Sequence, residues 1–457
     1  MADRKDLFFE PKSVYESCDE ALAESITQFA EGYKSFIDAA RTERLAVAEA
    51  VKLAEAKGFK PFSFGDRPVS GDKIYYVNRD KALMLAVIGS EPMTGGINLA
   101  AAHVDSPRLD LKHRPLYEDS GIALLKTHYY GGVKKYQWVT VPMALIGTVV
   151  RADGSKAEIS VGLKSGEPQF LVTDLLIHLA GDQMQKKAGD VISGENMNLL
   201  FGSRPDPEEG SDRVKLAVLK LLNEKYGITE EDFLSAELCA VPAAPVTDIG
   251  LDRSMIGGYG HDDRVCAYAE LMAILGTEAP KKTAVCLLVD KEEIGSEGVT
   301  GMLARSFDRF IDALCGYDGL YECFANSLCL SADVTNAFDP SFPEVSDKRN
   351  GAQLNGGVAI MKFTGSRGKS GSNDASAETV GRVRRMFAEN GVVWQMGELG
   401  KVDQGGGGTV AKFAAQRDID TIDAGVPVLC MHAPFEVISK ADLYMTYKAM
   451  LALYKQE

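Results

Sequence analysis

Buried apolar runs alternate with amphipathic stretches along most of this chain, and that alternation predicts its layout. Over residues 20–58, Ile26, Phe29, Tyr33 and Phe36 recur at the 3.6-residue period, and a second apolar series runs through Leu45, Val47 and Val51. Both predict helix. Strand-like segments follow at 73–78, 82–88 and 98–104. From Pro245 onward helix and strand take turns, with helices over 263–275, 299–314, 376–390 and 440–455, and strands over 283–289, 326–332 and 427–431. The last helix opens on Ser439-x-x-Asp442, a capping-box-like start.

The texture changes between about Pro115 and Pro242. Short alternating stretches at 138–142, 144–150 and 157–161 are broken by Gly, Asp and Ser, which predicts a mostly β insertion with one helix near 214–226. The fold class is therefore α/β: one mixed-sheet domain interrupted by an insertion.

At 457 residues the chain is long enough for two or three domains. Its 45% hydrophobic and 25% charged content excludes disordered and collagen-like classes. A net charge of −15 argues against a nucleic-acid partner, because phosphate binding needs a basic face. No apolar run approaches the roughly 20 residues of a membrane span, and residues 1–9 lack the apolar core of a signal peptide. The eight cysteines contain no Cys-x-x-Cys pair and fall mostly in apolar stretches, as expected of reduced thiols in a cytoplasmic protein.

Candidate chemistry gathers where buried strands end. The run 283–289 delivers Asp290-Lys291-Glu292-Glu293-Ile294-Gly295-Ser296. Strand ends of this kind are where sites form in open α/β sheets. Two adjacent glutamates repel unless their roles differ, and a metal ion separates them by binding one and leaving the other to move protons. Taken alone, the stretch reads equally well as a solvated acidic turn. The strand at 98–104 delivers His103-Val104-Asp105, whose alternate residues share one face, so Asp105 is placed to orient the imidazole. Gly260-His261-Asp262-Asp263 opens a helix: one aspartate can cap it while Asp262 bridges metals. Ser331-Ala332-Asp333 and Met431-His432 end two further strands. Carboxylates mixed with imidazoles suit zinc, manganese or cobalt at an open site rather than a structural zinc held by thiolates. The chain has no His-Glu-x-x-His, Phe363 spoils the P-loop-like Gly365–Ser370 stretch, and Gly405–Gly408 lacks dinucleotide-binding spacing.

These five motifs, in this order and over nearly the whole chain, resemble those of the aspartyl aminopeptidase family. The resemblance implies a di-metal aminopeptidase. One ion would be held by His103, Asp262 and Asp333, and the other by Asp262, Glu293 and His432, with zinc the first choice and manganese or cobalt open. Glu292 would be the general base for a metal-activated water, and Asp105 would orient His103. Residues 115–243 would form a dimerisation domain between catalytic segments 1–114 and 244–457, and dimers would assemble into a tetrahedral dodecamer. Peptides are the implied substrates, and a lysine in the family's acid-preferring pocket matches Lys362, so Asp or Glu N-termini are expected. His178 survives from a family segment that reaches a neighbouring active site, whereas the segment's first histidine is Asp174 here. A leucine-type aminopeptidase is the alternative within the same chemistry. A non-catalytic scaffold with a relic site is the alternative of another class, opposed by the presence of every implied ligand and the base.

Overall fold

The computed structural model describes residues 7–316 and 319–456, so part of the 1–9 leader reading lies outside the described residues. The chain forms two compact units: Met1–Asp105 with Thr247–Met431 and Glu436–Glu457, and Ser106–Val246 with His432–Phe435. The expected boundary at 115 falls inside a strand of the second unit, Arg108–Asp119.

A nine-stranded mixed sheet forms the frame of the first unit. Across it run Lys60–Pro61, Lys73–Asn78, Ala82–Val87, Thr283–Val289, Ile97–His103, Leu328–Ser331, Asp420–Gly425, Val358–Met361 and Trp394–Met396. Ile97–His103 lies parallel to both of its neighbours, with His103 opposite Val289 and Ala101 opposite Ser331. Leu328–Ser331 is in turn parallel to Asp420–Gly425, with Ser331 opposite Asp423. Four strands thus end on one edge of the sheet, and parallel strands covered on both faces read as continuous apolar runs. On one face Leu99, Ala101, Val285, Leu287 and Cys329 join a core with Phe307 and Phe310. The helix His261–Leu275 packs on the central strands and against the helix Lys440–Tyr454. Both helices are buried almost all round, which is why neither carries a clean amphipathic stripe.

Three local expectations change. The predicted 20–58 helix is two helices, Glu20–Ala39 and Glu43–Ala56, because Thr42 caps the second by accepting the Leu45 N–H. The helix expected from 299 begins at Ser306. Its first residues form turns instead, and Thr300 Oγ1 donates to Asp290 Oδ2 at 2.6 Å. Ser439 does cap the last helix, but the Asp442 carboxylate does not return to it, accepting the Asn355 and Gly357 N–H groups at 2.8 and 2.7 Å. A smaller sheet, also in the first unit, sets Glu436–Ser439 antiparallel to Met255–Gly258.

The second unit is built on a six-stranded antiparallel sheet carrying one long helix, Arg213–Tyr226, in keeping with the β-rich texture of its sequence. Among the described residues no helix is long and apolar enough to cross a membrane.

Candidate active site

The parallel register carries His103, the turn after Val289 and the turn after Ser331 to one edge, and there their side chains converge. His103 Nε2 lies 3.2 Å from Asp262 Oδ1, 3.9 Å from Asp333 Oδ1 and 4.0 Å from Glu292 Oε2. Ligand-type atoms of His103, Asp262 and Glu293 lie within 4.8 Å of one another, as do those of His103, Glu292 and Asp333, and those of Asp262, Asp263 and Asp333. The two neighbouring glutamates therefore join different groups.

Asp105 ties the arrangement together. His103 Nδ1 lies 3.0 Å from the Asp105 carbonyl oxygen and 3.3 Å from its Oδ1. The same carboxylate accepts the backbone N–H groups of Glu292 and Glu293, at 3.1 and 3.2 Å. One side chain thus orients the imidazole and fixes the turn bearing both glutamates, with His103 Nε2 left facing the cluster.

Asp262 and Asp263 are joined by a cis peptide bond at the start of the His261–Leu275 helix. Neither caps that helix as expected. Asp263 Oδ2 accepts the His103 backbone N–H at 3.3 Å, and the Asp262 N–H is given to Glu436 Oε2 at 3.1 Å. The turn leading in needs Gly260: its φ is +81°, and a Cβ there would meet the Arg264 guanidinium at 1.5 Å. On the far side Gly425 lets the Asp333 backbone approach, since a Cβ there would lie 1.8 Å from the Asp333 carbonyl oxygen.

The electrostatics call for a cation. His103, Asp105, Asp262, Asp263 and Asp333 are all buried, and six carboxylates surround one imidazole. Burial opposes charge on His103, but hydrogen bonds to Asp105 and Asp262 outweigh it and hold the imidazole well above the ordinary histidine pKa. Burial and the neighbouring carboxylates push Asp263 and Asp333 well above the usual range. The nearest arginine in sequence, Arg264, turns away to the Gly260 carbonyl oxygen, at 3.2 Å. Buried oxygen and imidazole donors at these separations, without a thiolate among them, fit a divalent ion of the zinc, manganese or cobalt type.

Three further expected residues divide between the two units. Lys362 is not inside an apolar strand but one residue past Val358–Met361, where its ammonium pairs with Asp374, which also binds Lys369 Nζ at 3.2 Å. In the second unit His178 is exposed on the short turn Ile177–Leu179. His432 sits there in a turn with φ +65°, its Nδ1 2.7 Å from the Gly132 carbonyl oxygen. Sequence reasoning missed Asp263 as a cluster member and missed Glu436 and Asp423 altogether. Asp423 is buried, accepts Ser331 Oγ–H at 2.9 Å, and is pushed up to about 7 by burial, with Glu292 adding to the rise.

An open α/β sheet presenting a carboxylate–imidazole cluster beyond its parallel strand ends defines a metallohydrolase. The chain belongs to the M18 family: the model of the aminopeptidase I zinc metalloprotease (M18) family matches residues 36–454. A probable M18 family aminopeptidase 1 of Clostridium acetobutylicum is 48% identical over 461 residues, covering 98% of this chain and 99% of that protein. The crystal structure of an M18 family aminopeptidase from Thermotoga maritima superposes with a TM-score of 0.95 at 43% identity, covering 98% and 100% of the two chains. A more distant structure, the S. cerevisiae mApe1 dodecamer, shares the fold at 20% identity and a TM-score of 0.76, covering 93% and 96%. The chain is therefore a metalloaminopeptidase, a hydrolase of peptide bonds, from a family whose metal is zinc.

Proposed function

We propose that this metalloaminopeptidase works with two divalent ions, zinc first among them, using Glu292 as general base. His103, Asp262 and Asp333 would hold one ion, and Asp262, Glu293 and His432 the other. The observation that carries this reading is the convergence of His103, Asp262, Glu292, Glu293 and Asp333 beyond the parallel strand ends. When bound, the ions supply Lewis-acid chemistry, acidifying a water and polarising the scissile carbonyl. Glu292 takes the proton of the attacking water and passes it to the leaving amine. Its side chain is 17% exposed and its Oε2 lies 4.0 Å from His103 Nε2, so it borders both the cluster and solvent, as a group that moves protons must. Asp105 keeps the Glu292–Glu293 turn and the imidazole in fixed relation, so the base does not drift from the reacting centre.

For substrate we favour acidic N-termini, on the grounds that Lys362 and Lys369 share a single aspartate and leave one positive charge in excess. The same contacts supply the competing reading: with Asp374 already on its ammonium, Lys362 is less able to capture an acidic side chain, which suits neutral residues. A panel of aminoacyl substrates separates the two. Assembly of the chain into dimers through its second unit, and into a dodecamer, is proposed from the family resemblance. His178 remains a proposed substrate-side residue, and its exposed neighbours Ile177 and Leu179 suit a surface that another subunit covers. A cytoplasmic site of action is supported by eight free cysteines.

A further inference from the structure

Asp262 belongs to two of the groups of ligand-type atoms, and its backbone at the helix start is held from another element. Gly260, at the N-cap position, offers no side-chain bond, and Asp262 and Asp263 depart from helical geometry with ψ angles of 109° and 23°. The first N–H groups of a helix have no partner within it, so the Asp262 N–H needs an acceptor from elsewhere. It finds one in Glu436, which opens the strand Glu436–Ser439 opposite Gly258, on the strand leading into this turn. Glu436 is 1% exposed, and its Oε2 accepts the Asp262 N–H at 3.1 Å. Burying a carboxylate costs several kcal/mol unless it is well used. An apolar residue would pack in that strand without the cost. Beside it Tyr33 Oη lies 2.6 Å from His261 Nδ1, and that hydroxyl senses both Arg264 and Glu436, so one small network anchors residues 261 and 262.

We infer that Glu436 is a positioning residue for the metal site: its oxygen sets the backbone at Asp262 and so aims the carboxylate that meets the ions. The inference rests on the proposed reading of Asp262 as a metal ligand. It assigns the effect to the reach of one acceptor oxygen and not to the charge. Two conservative variants separate these. E436Q keeps an acceptor oxygen at the same reach and loses the charge, whereas E436D keeps the charge and withdraws the oxygen by one methylene.

The test is titration of metal-free protein with Zn²⁺ in competition with a chromophoric chelator, with thermal unfolding of the same metal-free samples as control. Partners of metal ligands are typically worth about 10–100-fold in affinity. E436D is expected to weaken Zn²⁺ binding by about that factor, and E436Q to stay within about threefold of the parent. The reverse order, or no loss in E436D, overturns the inference. If E436D does not fold, E436M, which keeps the side-chain length and removes the acceptor, takes its place: a loss of about 10–100-fold beside retention in E436Q upholds the inference, and binding like the parent overturns it. Asp262→Asn is the companion measurement. If D262N binds zinc like the parent, the reading of Asp262 as ligand fails; if D262N is weak while both Glu436 variants bind normally, only the positioning role fails.

Discussion

Two groups of charged side chains in the first unit are built on opposite terms. In the strand-end cluster the aspartates are buried, and backbone contacts hold them: Asp105 on two N–H groups, Asp263 on the His103 N–H, and Asp262 through its own N–H on Glu436. Around Asp374, by contrast, Lys362, Lys369 and Asp374 are 37%, 43% and 47% exposed and are held chiefly by one another. An exposed ion pair is worth at most about 1 kcal/mol and weakens with salt. A buried, preorganised group acts over powers of ten. On the proposed reading, the chemistry of this enzyme is fixed by buried contacts of the fold, whereas a preference set by Lys362 would be soft and open to change by single substitutions.

The hardest blow to that contrast falls on the cluster. Glu292→Gln keeps the size of the side chain and removes the base, so kcat should fall by about 10²–10⁴-fold while metal content holds. Retained turnover would remove Glu292 from the role. On the exposed side, Lys362→Leu should cost about fivefold in kcat/KM on aspartyl substrates and little on leucyl ones, with the difference shrinking at high salt. Equal losses on both substrates would take Lys362 out of the pocket. The last effect is on stability and leaves turnover aside. Asp423 holds its proton up to about 7 in the folded protein, whereas an unfolded aspartate loses it near 4. The folded state thus binds more protons between those values, and stability falls as pH rises through that window, by at most about 1.4 kcal/mol per pH unit for one proton. Asp423→Asn in the metal-free protein should flatten that fall, read as denaturant midpoints at pH 5 and pH 7. An unchanged slope would mean that Asp423 is ionised throughout.

What the sequence made legible follows the same division. Thr283–Val289 is buried along its whole length and reads as a strand without help from context. The acids beyond such strands stood out because apolar runs ended on them. Asp420–Gly425 did not stand out, although it lies next to Leu328–Ser331 in the sheet, because its aspartates mask the strand and the partner of Asp423, Ser331, is 92 residues away in sequence. Asp263 looked like a helix cap, and only the fold brings the His103 N–H to it. Glu436 sits in Glu-Val-Ile-Ser, where a glutamate at a strand start is ordinarily a surface residue, and its acceptor role depends on a turn 174 positions earlier. Lys362 follows an apolar run that ends at Met361, and its pairing with Asp374 is a contact the sequence does not display. Local pattern thus reveals the strand ends and the acids on them; the contacts that aim those acids are long-range and appear only in the folded chain.

The central claim is that the buried cluster is a two-ion site on which peptide hydrolysis depends. Elemental analysis of a fully active preparation tests it most directly. The account predicts two divalent ions per chain, with activity lost on their removal by a chelator and restored by zinc, manganese or cobalt. A fully active preparation containing no divalent metal would contradict it.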